Sequence, residues 1–290
     1  MSNPFPTLAS PTFHTERGTP YLRSPGIVTL SRPQVDIAGL STFLEGFDPS
    51  LGFTDYTADP HALPDAAQLC KAAGQLCYMS FSPKRTWNEN ARRYFDNILN
   101  SGHGSVLEHA GFSLLCYGIS RSVTHELVRH RAGFAYSQVS QRYVSGKVLR
   151  FVERPEYAAD AVLHAQFEAR IDRAAADYEA TANRLLELQK SGTEILGAEA
   201  RTDLRKKVQQ AARSLLPNEA EAPIVVTGNV RAWRHFLEMR ANEHAETEIR
   251  ALAMAAYHCL VQCEPLLFGD YRIVDLPDGT QAVDTDFRKV

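Results

Sequence analysis

The sequence predicts an α+β fold: a mixed or antiparallel sheet flanked by long helices, in a single large domain. Three observations carry this. Strand-like stretches stand at Gly26–Leu30, at Phe112–Cys116, where the large apolar residues alternate, and at Ile224–Thr227. Long stripes of apolar residues at three- and four-residue steps run between and beyond them. A hairpin signature, Pro277-Asp278-Gly279-Thr280, sits inside the alternating segment Tyr271–Phe287.

Taken in order, residues 1–25 are rich in Pro, Thr and Ser and lack periodicity. They read as an arm over the surface or a disordered leader. Residues 26–270 form the main domain and 271–290 a C-terminal hairpin and tail. Helical spacing runs from about Pro64 to Tyr78 and from Trp87 to Leu99, broken by Phe81-Ser82-Pro83-Lys84. After the strand at 112–116, Gly118 stops the extended run and Ser120 is placed to cap a helix reaching about Arg131. Gly133 then opens a loop. Leu163, Phe167, Ile171, Tyr178, Leu185 and Leu188 mark a long helix stopped by Ser191-Gly192. Leu204, Val208, Ala211 and Leu215 mark another, ended by Pro217. Both stripes read as packing surface within or between subunits. Asn229 caps a helix carrying Trp233, Phe236, Leu237 and Met239.

The chain has 290 residues, enough for a substantial core, and a net charge of −3. That charge argues against a general nucleic-acid-binding surface. No run of about twenty apolar residues predicts a membrane span, and the first residues lack the pattern of a secretory signal. The five cysteines are odd in number and lack zinc-ribbon spacing. They read as reduced, buried thiols of a cytoplasmic protein.

Against that acidic background, residues 121–150 hold six cationic side chains and one carboxylate, Glu126. Within them, Arg129–Tyr143 packs three arginines, His130, two glutamines and two serines without a carboxylate. Guanidiniums bind planar oxyanions through paired donors, and serine and glutamine read the edges of a ring. The ligand implied is a nucleotide or phosphorylated cofactor. The alternative is a solvated basic helix end.

Other chemistries fit less well. His125 and His130 are five apart in His125-Glu126-Leu127-Val128-Arg129-His130, about 140° around a helix, where zinc ligation from one face needs four. No Gly-x-Gly-x-x-Gly and no Gly-Lys-Ser/Thr is present, so side chains must hold any phosphate. Cys116, Cys259 and Cys263 lie in apolar stretches, the wrong setting for a nucleophilic thiolate. On the helix after Asn229, Arg231 stacks with His235 and Arg240 with His244. The two pairs are about 180° apart on an ideal helix, so they serve different ligands, or different active sites in an oligomer, unless one pair only makes surface ion pairs.

Four ordered blocks resemble the flavin-dependent thymidylate synthases. Arg129-His130-Arg131 with Ser140-Gln141-Arg142-Tyr143 is similar to that family's hallmark. His103, Ser105, Glu108 and His109 match a second block, Arg213, Leu216 and Pro217 a third, and Asn229, Arg231, Arg240 and His244 a fourth. Order and spacing follow the family from about Gly26 to Phe268. Eight residues lie between Arg131 and Ser140, one more than the family usually has. The resemblance implies a methyltransferase that converts dUMP to dTMP without a cysteine nucleophile. FAD is the implied cofactor, with 5,10-methylenetetrahydrofolate as carbon donor and NADPH as reductant. It also implies a homotetramer with shared active sites. Arg240 is the implied catalytic residue. Glu126, Arg129, Gln138, Ser140, Gln141, Arg142 and Arg213 are implied dUMP contacts. Ser105, Arg129, His130, Arg131, Gln138, Asn229, Arg231, His235 and His244 are implied FAD contacts, with Ser80 and His103 as secondary ones. A flavin reductase and a non-catalytic nucleotide-binding protein of the same fold are the alternative readings.

Overall fold

Alternation of large apolar side chains builds the central sheet. The computed structural model describes residues 5–143, 146–190 and 201–287. In chain order the strands and helices are β1 (Thr7–Leu8), β2 (Thr12–His14), β3 (Pro20–Leu22), β4 (Gly26–Ser31), α1 (Leu40–Leu44), α2 (Asp65–Cys77), α3 (Ala91–Asn100), β5 (Gly111–Tyr117), α4 (Arg121–Leu127) and β6 (Phe134–Gln138). There follow β7 (Phe151–Val152), α5 (Pro155–Ala158), α6 (Ala161–Lys190), α7 (Arg201–Ala212), β8 (Ile224–Asn229), α8 (Val230–Arg240), α9 (Thr247–Cys263), α10 (Pro265–Phe268), β9 (Arg272–Asp275) and β10 (Gln281–Asp284). The α+β class is as the sequence predicts.

The main sheet has the order β1-β4-β5-β8-β6 and every pairing in it is antiparallel. In β5, Phe112, Leu114 and Cys116 are buried, as the period of two requires. A second sheet, β2-β3-β7, contains a parallel pair, β3 with β7. The hairpin β9–β10 is separate and forms where the turn residues place it. Helix α9 is buried along most of its length, because its sequence is apolar on nearly every side. It packs against β1, β4, α4 and α8.

Several expectations are refined or changed. Of the expected surface arm or disordered leader, residues 5–25 are tied into the fold by short strands. β1 pairs with β4, β3 pairs with β7, and Tyr21 and Leu22 are buried in the core. Long-range pairing partners lend these residues an order that their local composition does not encode. The helix begun at Ser120 stops at Leu127, not Arg131. The segment after Gly133 is the edge strand β6, paired with β8. Cys70, Cys116, Cys259 and Cys263 are buried as expected, whereas Cys77 is exposed at the end of α2. The stop assigned to Ser191-Gly192 lies outside the described residues. Among the described residues no helix is long and apolar enough to cross a membrane.

Candidate functional site

Helix α4 is placed from both sides. Ser120 caps it, accepting from the Val123 amide at 3.4 Å. The buried carboxylate of Glu248 accepts the Ser120 amide at 2.7 Å and its hydroxyl at 2.8 Å. Burial pushes the Glu248 pKa up, against the pull of those two bonds. Beyond Leu127 the chain turns through Arg129, His130 and Arg131. Tyr136 of β6 reaches back across this turn, its hydroxyl 3.0 Å from the Leu127 carbonyl and 2.5 Å from that of His130. Gly133 closes the turn at φ +73°, and a Cβ there would sit 2.9 Å from both Ala232 Cβ and Asn229 Nδ2. Asn229 accepts the Ala232 amide at 2.8 Å and so starts α8, as its sequence position predicts.

These constraints bring the ends of α4 and α8 together. Arg240 is the last residue of α8. It donates from Nε to His130 Nε2 at 2.9 Å and from Nη1 to Glu126 Oε2 at 3.0 Å. The His130 ring lies edge-on to Phe236 with centroids 5.2 Å apart, and 5.9 Å from the ring of His235. Burial first, then Arg240 and His235, push the His130 pKa down to about 4. The imidazole is therefore neutral near pH 7, and the bond from Arg240 assigns its lone pair to Nε2 and its proton to Nδ1.

Arg240 and His244 do not stack on one helix, because α8 ends at Arg240. Both nevertheless line one cleft of about 440 Å³, with Asn242 and with Tyr271, Val283 and Thr285 from the C-terminal segment. His235 and Arg240 meet through His130 instead, so the two halves of α8 are not divided as an ideal straight helix suggests. Arg231 pairs with Glu108 at 2.5 Å, which ties the turn Gly104–Glu108 to α8.

That same turn walls a large cleft, of about 760 Å³. It gathers Ser80, His103 and Ser105, which are far apart in sequence, with Lys84, Arg85 and Gln75. Gln75 and Arg85 are buried, and Gln75 Oε1 and Arg85 Nε lack a hydrogen-bond partner among the described residues. The described residues that line the cleft include no carboxylate. Unsatisfied buried polar atoms in a cationic wall fit a polar, phosphate-bearing cofactor. The sequence marks neither Gln75 nor Arg85, since Gln75 lies within a stretch of helical spacing and Arg85 directly follows the break Phe81–Lys84.

A third cleft, of about 380 Å³, joins Gln141 and Arg213 to Arg121. Burial and the neighbouring Arg213 guanidinium hold the Arg121 pKa below its ordinary value. The side-chain amide nitrogen of Gln141 is buried and has no partner among the described residues. Two adjacent guanidiniums and an unmet donor favour an anion there. Arg121 was counted in the basic window but not singled out as a site residue. The available signal was an arginine in the first turn of a helix, where the helix dipole disfavours it. Ser140, Gln138 and Arg142 follow on and after β6. The Ser140 hydroxyl accepts from the Arg142 amide at 3.4 Å, and Arg142 is exposed. Arg129 and Arg131 are also exposed.

Comparison with known proteins gives a consistent result. Residues 57–266 match the family described as thymidylate synthase complementing protein. A flavin-dependent thymidylate synthase of Mycobacterium sp. (strain KMS) is 44% identical over 241 residues, covering 80% of this chain and 92% of the relative. The enzyme of the same name from Mycolicibacterium gilvum (strain PYR-GCK) is 44% identical over 234 residues, covering 79% and 90%. That from Mycobacterium tuberculosis (strain ATCC 25177 / H37Ra) is 43% identical over 233 residues, with the same coverage.

Proposed function

This chain belongs to the flavin-dependent thymidylate synthase family, and on that premise we propose how its residues make dTMP from dUMP. The carbon donor in this reading is 5,10-methylenetetrahydrofolate and the reductant NADPH. The cofactor is FAD, which supplies hydride chemistry when bound. The observation that carries the reading is the Arg240 guanidinium, held in plane by neutral His130 and by Glu126.

Arg240 sits against N3 and O4 of the pyrimidine. Its paired donors stabilise negative charge on that edge and so favour electron density at C5, the carbon to be methylated. Glu126 orients Arg240 and reads the ring as a second polar contact. Arg213, Arg142, Ser140, Gln138, Gln141 and Arg129 hold the rest of dUMP, the arginines taking its phosphate. Arg121, facing Arg213, joins them. Ser140 acts as a binding group, because its hydroxyl has a backbone amide beside it and no base to activate it. The buried thiols are poor nucleophiles: burial pushes Cys70 and Cys116 up to about 12 and Cys259 to about 11.

Ser105, Ser80 and His103 would hold FAD in the large cleft, and Arg131, Arg231, His130, His235, Asn229 and His244 would complete its site. Arg240 lines one cleft and Arg121 and Arg213 another, which supports a homotetramer with composite active sites. A fully active monomer by light scattering would contradict that assembly. The function itself is tested on purified protein by flavin absorbance, FAD titration of stripped protein and dUMP-dependent dTMP formation. A colourless protein that binds no FAD and forms no dTMP would overturn it.

A further inference from the structure

We propose that the C-terminal hairpin β9–β10, which lies beyond the region of family match, is a positioning element for Arg240. The inference rests on the placement of Arg240 at the pyrimidine. A helix end leaves its last carbonyls without intrahelical partners. Here the peptide that follows Arg240 is held from two sides. The Ala241 amide donates to the Leu237 carbonyl at 2.8 Å, and the Ala241 carbonyl accepts from the Val283 amide of β10 at 2.8 Å. Ala241 is fully buried between them.

Two further ties join the hairpin region to α8 and to the loop that follows it. Arg250 donates from Nη1 to the Glu243 carbonyl at 2.8 Å and from Nη2 to Asp278 Oδ2 at 2.5 Å. One guanidinium thus fastens the loop carrying His244 to the turn of the hairpin. Asp270 takes both terminal nitrogens of Arg234, at 2.6 and 2.8 Å, and accepts the Thr285 hydroxyl at 2.6 Å. Arg234 lies on α8, six residues before Arg240. The family match ends at residue 266, yet Tyr271, Val283 and Thr285 wall the cleft that Arg240 and His244 share. A guanidinium on the last helical residue inherits any shift of the peptide beside it. A misplacement of about 1 Å can cost on the order of 10²-fold in rate.

The experiment uses the full-length holoenzyme. Val283→Pro removes the amide hydrogen, and Val283→Ala keeps it. Val283→Pro is expected to lower dTMP turnover about tenfold or more, with flavin occupancy and flavin reduction by NADPH held within about twofold. Val283→Ala is expected to stay much closer to the parent enzyme. Parental turnover in Val283→Pro overturns the proposal. So does a parallel loss of turnover, flavin and flavin reduction, which is what general structural damage produces. Should Val283→Pro fail to fold, Thr285→Val, which removes the hydroxyl bond to Asp270 and so loosens the tie to Arg234 on α8, decides by the same split, with a loss of turnover alone expected. Arg240→Lys, assayed alongside, separates the two layers of the argument. Full activity in Arg240→Lys removes the reading of Arg240 itself. An impaired Arg240→Lys beside a fully active Val283→Pro removes only the role of the hairpin.

Discussion

Arg240 donates its Nε hydrogen to Nε2 of His130 at 2.9 Å. A guanidinium has only donors, so this bond exists only while His130 is neutral. His130 comes from the turn after α4 and Arg240 from the end of α8, so the bond also joins two helix ends that carry the basic cluster.

The pH dependence follows from that bond. The folded-state pKa of His130 is pushed down to about 4 from an ordinary 6.5, by burial and then by Arg240 and His235. Below pH 6.5 the unfolded chain takes up this proton while the folded chain does not. Stability from this group is therefore full above about 6.5, falls as the pH drops toward 4, and levels off below. Denaturant unfolding between pH 4 and 7 should show this slope, and His130→Gln should flatten it. An unchanged slope in the variant would assign the effect to other groups.

Arg240 and Arg131 should fail in opposite ways. Arg240→Lys keeps the charge but loses the planar fork that engages His130 and Glu126. It should lower dTMP turnover by about 10²-fold or more, with FAD content near normal. Arg131 is exposed and is assigned to the flavin in the function proposed. Arg131→Lys should lose FAD first and regain turnover when FAD is supplied in excess. Flavin occupancy and dTMP formation, measured on both, decide the matter. The reverse pattern would exchange the two roles.

Gly133→Ala tests the turn that delivers His130. The backbone there has φ +73°, and a methyl group would meet Ala232 Cβ and Asn229 Nδ2 at 2.9 Å. Strain and overlap together should destabilise the fold by more than about 1 kcal/mol. Because Asn229 caps α8, the loss should extend to flavin binding. Equal midpoints of parent and variant in urea would show that the turn relaxes freely.

Local chemistry was enough to place many elements. Asn229 starts α8 and Ser120 starts α4, because each side chain meets a backbone amide a few residues away. Phe112, Leu114 and Cys116 are buried in β5 because side chains alternate along a strand. Pro277–Thr280 makes its hairpin because the turn needs little beyond itself. The chemistry of the Arg129–Tyr143 cluster was equally legible, since donors in such number without a carboxylate point to an anion.

Partners distant in the chain decided the rest. β6 is a strand only because β8 pairs with it, and the segment 5–25 is ordered only because β4 and β7 do the same for it. The peptide that follows α8 is held by Val283 of the C-terminal hairpin. Gln75 and Arg85 became site residues only when folding set them in the wall beside His103 and Ser105. The sequence alone determined which groups could bind an anionic, ring-bearing ligand, because that depends on the chemistry of single side chains. Only the tertiary structure decided that Arg240 meets His130 and Glu126, because a contact across 110 or 114 residues depends on how the chain returns upon itself.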